Sequence, residues 1–198
     1  MQHRTPAALA ACIVVAPAAH AGIVDTLEFE DLTAGDTFAT GTPFITEGIT
    51  VTTNEFFFGG GGSTTSGFAE VINPNLAGAG NGIFANNTNL DFGFVFPQST
   101  VGFSYTNQGG NVNLTINGSL LNANQLFTLD GTMVGDVLVS VAPTSAGLDF
   151  GAVTLEGTIT QFSIGGQEFT VDDVRYTVPT PGALALCGIT ALTARRRR

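Results

Sequence analysis

The sequence predicts an all-β protein. Its body reads as a single antiparallel β-sandwich of jelly-roll or galactose-binding-like type, with an immunoglobulin-like sandwich as the second choice. An N-terminal signal helix and a short C-terminal apolar helix are expected to flank it. Three observations carry this. Turn signals recur roughly every 8–12 residues. The composition favours pleated, half-buried surfaces, with 26 Gly and 16 Phe beside abundant Thr and Asn. Outside the two ends, no window keeps a helical hydrophobic period.

In chain order, residues 1–21 read as a secretory signal peptide. Arg4 supplies the positive start, 7–16 the apolar stretch and Pro17 the break. Ala19-His20-Ala21 is a small-x-small cleavage site, with Ala19 and Ala21 as its small residues. Residues 22–177 form the expected β domain. Strands are predicted at 27–29, 45–52, 90–96, 100–105, 111–116, 126–129, 137–141, 148–154, 158–164 and 168–177. The clearest is Asn111-Val-Asn-Leu-Thr-Ile116, where strict alternation puts Val112, Leu114 and Ile116 on one face. Asn117-Gly118 follows it, the strongest short hairpin signal. Further turn signals are Gly35-Asp36, Glu47-Gly48, Gln108-Gly109-Gly110, Asp130-Gly131, Glu156-Gly157 and Gly165-Gly166. Residues 53–89, with Phe56-Phe57-Phe58 running into four glycines, read as a long, partly ordered excursion between sheets, where binding function tends to sit.

Residues 178–198 have a three-part order. Pro179-Thr180-Pro181 breaks the chain, 182–194 is apolar or small throughout, and Arg195, Arg196, Arg197 and Arg198 follow. As a helix the apolar part spans about 20 Å, against about 30 Å of bilayer hydrocarbon, which suits a brief anchor better than a permanent one. The arginine cluster resists translocation, which leaves the body across the membrane.

This order resembles the PEP-CTERM sorting signal of exported bacterial proteins, with Thr180 where the family has Glu. The resemblance implies transient inner-membrane insertion, processing by a membrane protease (exosortase), and delivery to the cell surface or extracellular matrix. Extracellular polysaccharide or other surface proteins are then the expected partners. Leu27-Glu-Phe-Glu-Asp-Leu32 and Val171-Asp-Asp-Val174 are similar to the paired ends of many exported β-proteins of this family. Leu90-Asp-Phe and Ser99-Thr-Val-Gly-Phe103 are similar to their middle run.

Charge narrows the chemistry. All 16 acids lie between Asp25 and Asp173, and Arg175 is the one base of the body, so its net charge is about −15. Such a surface repels nucleic acid, anionic lipid and acidic polysaccharide, and suits divalent cations. Cys12, Cys187, His3 and His20 all fall in the two ends. The body therefore has no thiol, imidazole or ammonium with which to build a Ser triad, a Ser–Lys dyad or a His/Cys zinc site. A carboxylate pair acting on a glycosidic bond survives as a minor alternative.

The sharpest feature of the body is acidic. Leu27 and Phe29 share one strand phase and Leu32 takes the other, so alternation breaks at Glu30-Asp31. Phe169 and Val171 share a phase that Val174 and Tyr176 do not, so it breaks again at Asp172-Asp173. A phase break marks a bulge that re-aims side chains. Were the first and last strands neighbours, Glu30, Asp31, Asp172 and Asp173 would offer hard oxygen ligands for a structural Ca²⁺, with Glu28 as an extra; solvated acids at strand ends are the alternative. The sequence thus points to an exported, non-enzymatic structural or adhesive protein. A carbohydrate-binding module for neutral glycans is the alternative. Without Trp, Phe56, Phe57 and Phe58 are the candidate aromatic patch, unless they are core.

Overall fold

The computed structural model describes residues 23–143 and 149–178. The expected signal site (Ala19, Ala21), sorting motif (Pro179, Thr180, Pro181) and arginine cluster lie outside them, as do the segments expected to form the two flanking helices. The described residues are all-β and antiparallel. In chain order the strands are β1 (Ile23–Leu27), β2 (Thr37–Ala39), β3 (Pro43–Thr46), β4 (Ile49–Asn54), β5 (Phe56–Phe57), β6 (Ser63–Thr64), β7 (Phe68–Ile72) and β8 (Gly82–Asn86). There follow β9 (Thr88–Gly93), β10 (Gln98–Ile116), β11 (Ser119–Ala123), β12 (Met133–Val134), β13 (Val137–Pro143), β14 (Phe150–Ile159) and β15 (Phe162–Val178).

Thirteen of these strands join one sheet, and β5 and β6 form a separate hairpin. The long strands β10 and β15 are its spine, because each serves two sets of neighbours. In one half the order runs β12-β13-β14-β10-β15-β8-β7-β2, with β1 also on β15. There Val101, Phe103 and Tyr105 face Leu155, Val153 and Gly151 of β14. In the other half, residues 112–116 of β10 pair with β11 on one side and with residues 162–166 of β15 on the other. From there β15 passes to β9, then β4, then β3.

The halves meet at register shifts between Asn107, Gly109 and Val112 of β10, opposite Glu168 and Gly166 of β15. Gly110, at φ 75°, takes a conformation that L side chains rarely adopt, and the Gln167 side chain packs against it. Gln167 Oε1 accepts the Asn111 N–H at 2.9 Å, so the irregularity leaves that donor paired. The expected turn at 108–110 is therefore a bulge inside β10, and Gly165-Gly166 lies in regular register within β15, paired with Asn113 and Val112 on one side and with Asn89 and Thr88 on the other. Glu156-Gly157 likewise lies within β14, with Gly157 at φ 148°. Each glycine pair frees the backbone locally, and remote pairing decides that the strand runs on rather than reverses.

Alternate residues of both halves enter one core, including Val101, Phe103, Leu114, Ile116, Phe162, Ile164, Phe169 and Val171. Phe103, from the first half, stands 5.4 Å from Phe162 of the second, and Phe94 stacks on Tyr176 at 5.1 Å. Asn117-Gly118, with φ of 50° and 79°, makes the expected hairpin between β10 and β11. Glu47-Gly48, with φ of 47° and 83°, turns the expected strand at 45–52 into the β3–β4 hairpin.

Two further expectations are corrected. Residues Leu126–Leu129 form a 3₁₀ turn rather than a strand. The buried Asp149 carboxylate receives the Leu126 N–H, the Tyr105 hydroxyl and the Asn107 amide, and this fixes the turn. Residues 53–89 are not one loose excursion either, since β5 to β8 lie within them.

Candidate functional site

Strand β1 pairs with β15 from Ile23↔Val178 to Leu27↔Val174, so the first and last strands of the described fold are neighbours, as the site required. Leu27 and Phe29 are both fully buried. Between them and Leu32 the chain leaves the sheet: Phe29 sits at φ 60° and its carbonyl accepts the Leu32 N–H at 3.1 Å. The first phase break is thus a tight turn at a strand end, with Glu30 and Asp31 exposed on it.

The second break is the expected bulge. The β10–β15 register shifts between Gly102↔Arg175 and Ser104↔Asp172, and Asp173 takes φ 49°. The bulge falls between two changes of neighbour, since residues 169–171 of β15 pair with β8 and residues 174–178 with β1. It turns Asp172 inward, fully buried, and leaves Asp173 half-buried.

Residues 73–81, the connection from β7 to β8, hold two of the four carboxylates. Asn75 Nδ2 donates to Asp172 Oδ2 at 3.0 Å and to the Gly80 carbonyl at 3.1 Å. Asn75 Oδ1 accepts the Gly78 N–H at 2.6 Å, which curls the connection around the same side chain. The Asn81 N–H donates to Glu30 Oε1 at 2.9 Å. The Asn81 amide donates to the carbonyls of Phe29, at 3.1 Å, and Leu32, at 2.9 Å. A Cβ at Gly78 would fall on Asp172 Oδ2 and one at Gly80 on Glu30 Oε1, so a side chain at either position would displace a carboxylate.

The other two carboxylates go elsewhere. Asp31 accepts from Thr46 Oγ1 at 2.6 Å and from the Glu47 N–H at 2.8 Å. Asp173 Oδ2 accepts from Ser104 Oγ at 3.0 Å. The structure therefore brings Glu30 and Asp172 onto one connection and gives Asp31 and Asp173 separate donors. Among the described residues, no three His, Cys, Asp or Glu side chains are grouped to hold a metal ion.

Electrostatics separates these acids further. Burial pushes the Asp172 carboxyl up to about 6, against the donors of Asp173 and Asn75, and the charges of Asp173 and Glu28 add to the rise. Asp31 moves the other way. Burial would raise it, but the Thr46 hydroxyl and the Glu47 N–H hold it below the usual carboxylate value.

Sequence reasoning missed Asn75, Asn81, Gly78 and Gly80. Their signal was present as an Asn/Gly-rich run, but nothing local shows which side chains such a run will meet. The candidate aromatic patch resolves mostly into packing. Phe56 is fully buried against Phe58, with ring centres 5.4 Å apart, and Phe57 is 40% exposed. Among the described residues no helix is long and apolar enough to cross a membrane.

No protein-family model matches the chain, and no curated protein matches it. Among solved structures, the chain is similar to the catalytic domain of a GH87 alpha-1,3-glucanase variant in complex with tetrasaccharides, at 13% identity and a TM-score of 0.33. The match covers 82% of this chain and 29% of the glucanase chain.

Proposed function

We propose that this chain is an exported, non-enzymatic β-sandwich protein, delivered by a PEP-CTERM-like tail to the cell surface or extracellular matrix, where its role is structural or adhesive. The observation that carries the reading is the order of Pro179-Thr180-Pro181, the apolar residues 182–194 and Arg195 to Arg198, together with a signal-like segment before residue 22. The composition of the body supports it. Without Lys, His or Cys between residues 22 and 178, the common nucleophile–base pairs lack their base or their thiol. The fold supports the sandwich, since a sheet turned over on itself encloses one core.

An exosortase-type protease is the processing partner in this reading. Intact-mass measurement of the mature protein from culture supernatant is expected to show loss of residues 1–21 and of the segment after Pro181. Replacing Arg195, Arg196, Arg197 and Arg198 together by Ser is expected to abolish release from the membrane. A cytoplasmic protein of full mass would refute the export reading.

A structural Ca²⁺ held by Glu30, Asp31, Asp172 and Asp173 belongs to the same proposal. Its support is the convergence of Glu30 and the buried Asp172 on one connection that also presents backbone carbonyls, the hard oxygen donors that Ca²⁺ takes. The four would have to draw together from the separate donors they hold. Calorimetric titration with CaCl₂ is expected to release heat and raise the Tm. No heat and an unchanged Tm would remove the ion from the proposal.

A further inference from the structure

Where β4 lies beside β9, the outer face of the second half of the sheet is polar. The registers Thr50↔Gly93, Thr52↔Asp91 and Asn54↔Asn89 set three outward residues of β4 beside β9, while Val51 and Thr53 between them turn inward. Gly93 presents no side chain, and a Cβ there would stand 3.1 Å from the Thr50 carbonyl. The result is an open groove of about 340 Å³, lined by Thr50, Thr52, Asn54, Asp91, Phe94 and Gln161 among others. That is the lower end of the roughly 300–1,000 Å³ range of small-molecule sites. Asn54 Nδ2 donates to Asp91 Oδ2 at 2.5 Å, which sets the carboxylate and the amide side by side.

The strand row that begins at Asn54 runs into the buried part of the sheet. Asn54 belongs to a cross-strand row that continues through Asn89, Gly165, Asn113 and Asn122. Two buried atoms of that row, Asn89 Oδ1 and Asn113 Nδ2, have no hydrogen-bond partner within the protein. Asn89 and Asn113 are 5% and 1% exposed and lie outside the lining; Asn89 Nδ2 donates to the Glu55 carbonyl, and Asn122 Nδ2 donates to Asn113 Oδ1 and the Phe57 carbonyl, so this row ties the groove's edge to the segment after β4.

We propose that this groove binds a neutral glycan, resting on the adhesive role proposed above. Asp91 accepts from sugar hydroxyls; Asn54, Gln161 and the Thr50 and Thr52 hydroxyls both donate and accept; Phe94 offers apolar surface to a ring's C–H face. The lining contains no Lys, Arg or His, and the body's net charge of about −15 repels uronates, sulfates and phosphates. Asp91 is the one acid among the lining residues, whereas glycosidic hydrolysis generally uses two, so the groove holds its ligand without cutting it.

The test is affinity electrophoresis of the purified full chain in gels containing a soluble β-glucan, an α-glucan, a galactomannan or polygalacturonate. Retardation by at least one neutral polymer and none by polygalacturonate is expected. Asp91→Ala and Thr50→Trp, which fills the groove from an exposed position, are each expected to weaken retention at least tenfold. Glu168→Ala, an exposed acid outside the lining, leaves it unchanged. No retardation by any neutral polymer overturns the proposal, as does full retention by Thr50→Trp at an unchanged Tm. The assay uses purified protein, so a failure of the export reading, seen in mass and location, remains distinct from a failure of binding.

Discussion

Asp172 shows how one side chain ties the acidic site to stability. Its carboxyl is buried, and in the folded state its pKa rises from 3.8 to about 6. The folded protein therefore holds this proton more tightly than the unfolded chain does. The stability this preference contributes is fully present below about pH 4 and is lost as the pH rises through about 6. In chelator-treated buffer, urea denaturation is expected to show stability falling between those values, and Asp172→Asn is expected to remove that slope whatever its own stability. A slope unchanged in the variant would assign the titration to another group. The bulge at Asp172-Asp173 was legible in the sequence, because Val171 and Val174 cannot share a face without one between them, but which of the two acids turns inward was not. Nor were the donors waiting for Asp172. Asn75 lies 97 residues away, and no local pattern names a partner at that distance.

At the scale of elements, β10 and β15 do the organising, and the aromatic contact between Phe103 and Phe162 joins the two halves. Phe103→Ala deletes a fully buried ring at this junction and is expected to cost about 3–5 kcal/mol. Ile45→Ala, on a strand residue 68% exposed, is expected to cost less than about 0.5 kcal/mol. Chemical denaturation of both variants checks the contrast; similar losses would place the energetic core elsewhere. Local sequence revealed the Asn117-Gly118 hairpin well, because those residues carry their turn conformation themselves; Glu47-Gly48 carried the same signal, yet the apolar run around it read as one strand over 45–52. Local sequence also cut each spine strand in two, because Gly109-Gly110 and Gly165-Gly166 signal a reversal as strongly as they permit a strand to run on. The four residues of the 3₁₀ turn read as a strand for a related reason. Their apolar character is local, whereas the Asp149 carboxylate that curls them is 23 residues distant. Strands β7 and β8 were hidden among Gly and Asn because their places are set by β2 and β15.

At the scale of the whole molecule, composition and topology act together. Class, charge and the removal of whole families of catalytic chemistry were plain from the sequence, since they depend on which residues are present. The polar groove was not, because Thr50, Asp91 and Gln161 become neighbours only through the order β4-β9-β15. That order rests on the last strand: β15 pairs with β1, β8, β9 and β10, so both halves are built around residues 162–178. A chain stopped at residue 161 keeps β1 to β14, yet it is expected to show no cooperative thermal transition by circular dichroism. A sharp transition in that truncation would show that β10 suffices as a spine. The consequence concerns timing. The core cannot close while the final strand is still on the ribosome, and closing it requires contacts that are distant in sequence, the slow kind. The polypeptide thus stays threadable for nearly the whole of its synthesis, the state that a protein-conducting channel accepts, and it becomes rigid only after its last strand is delivered.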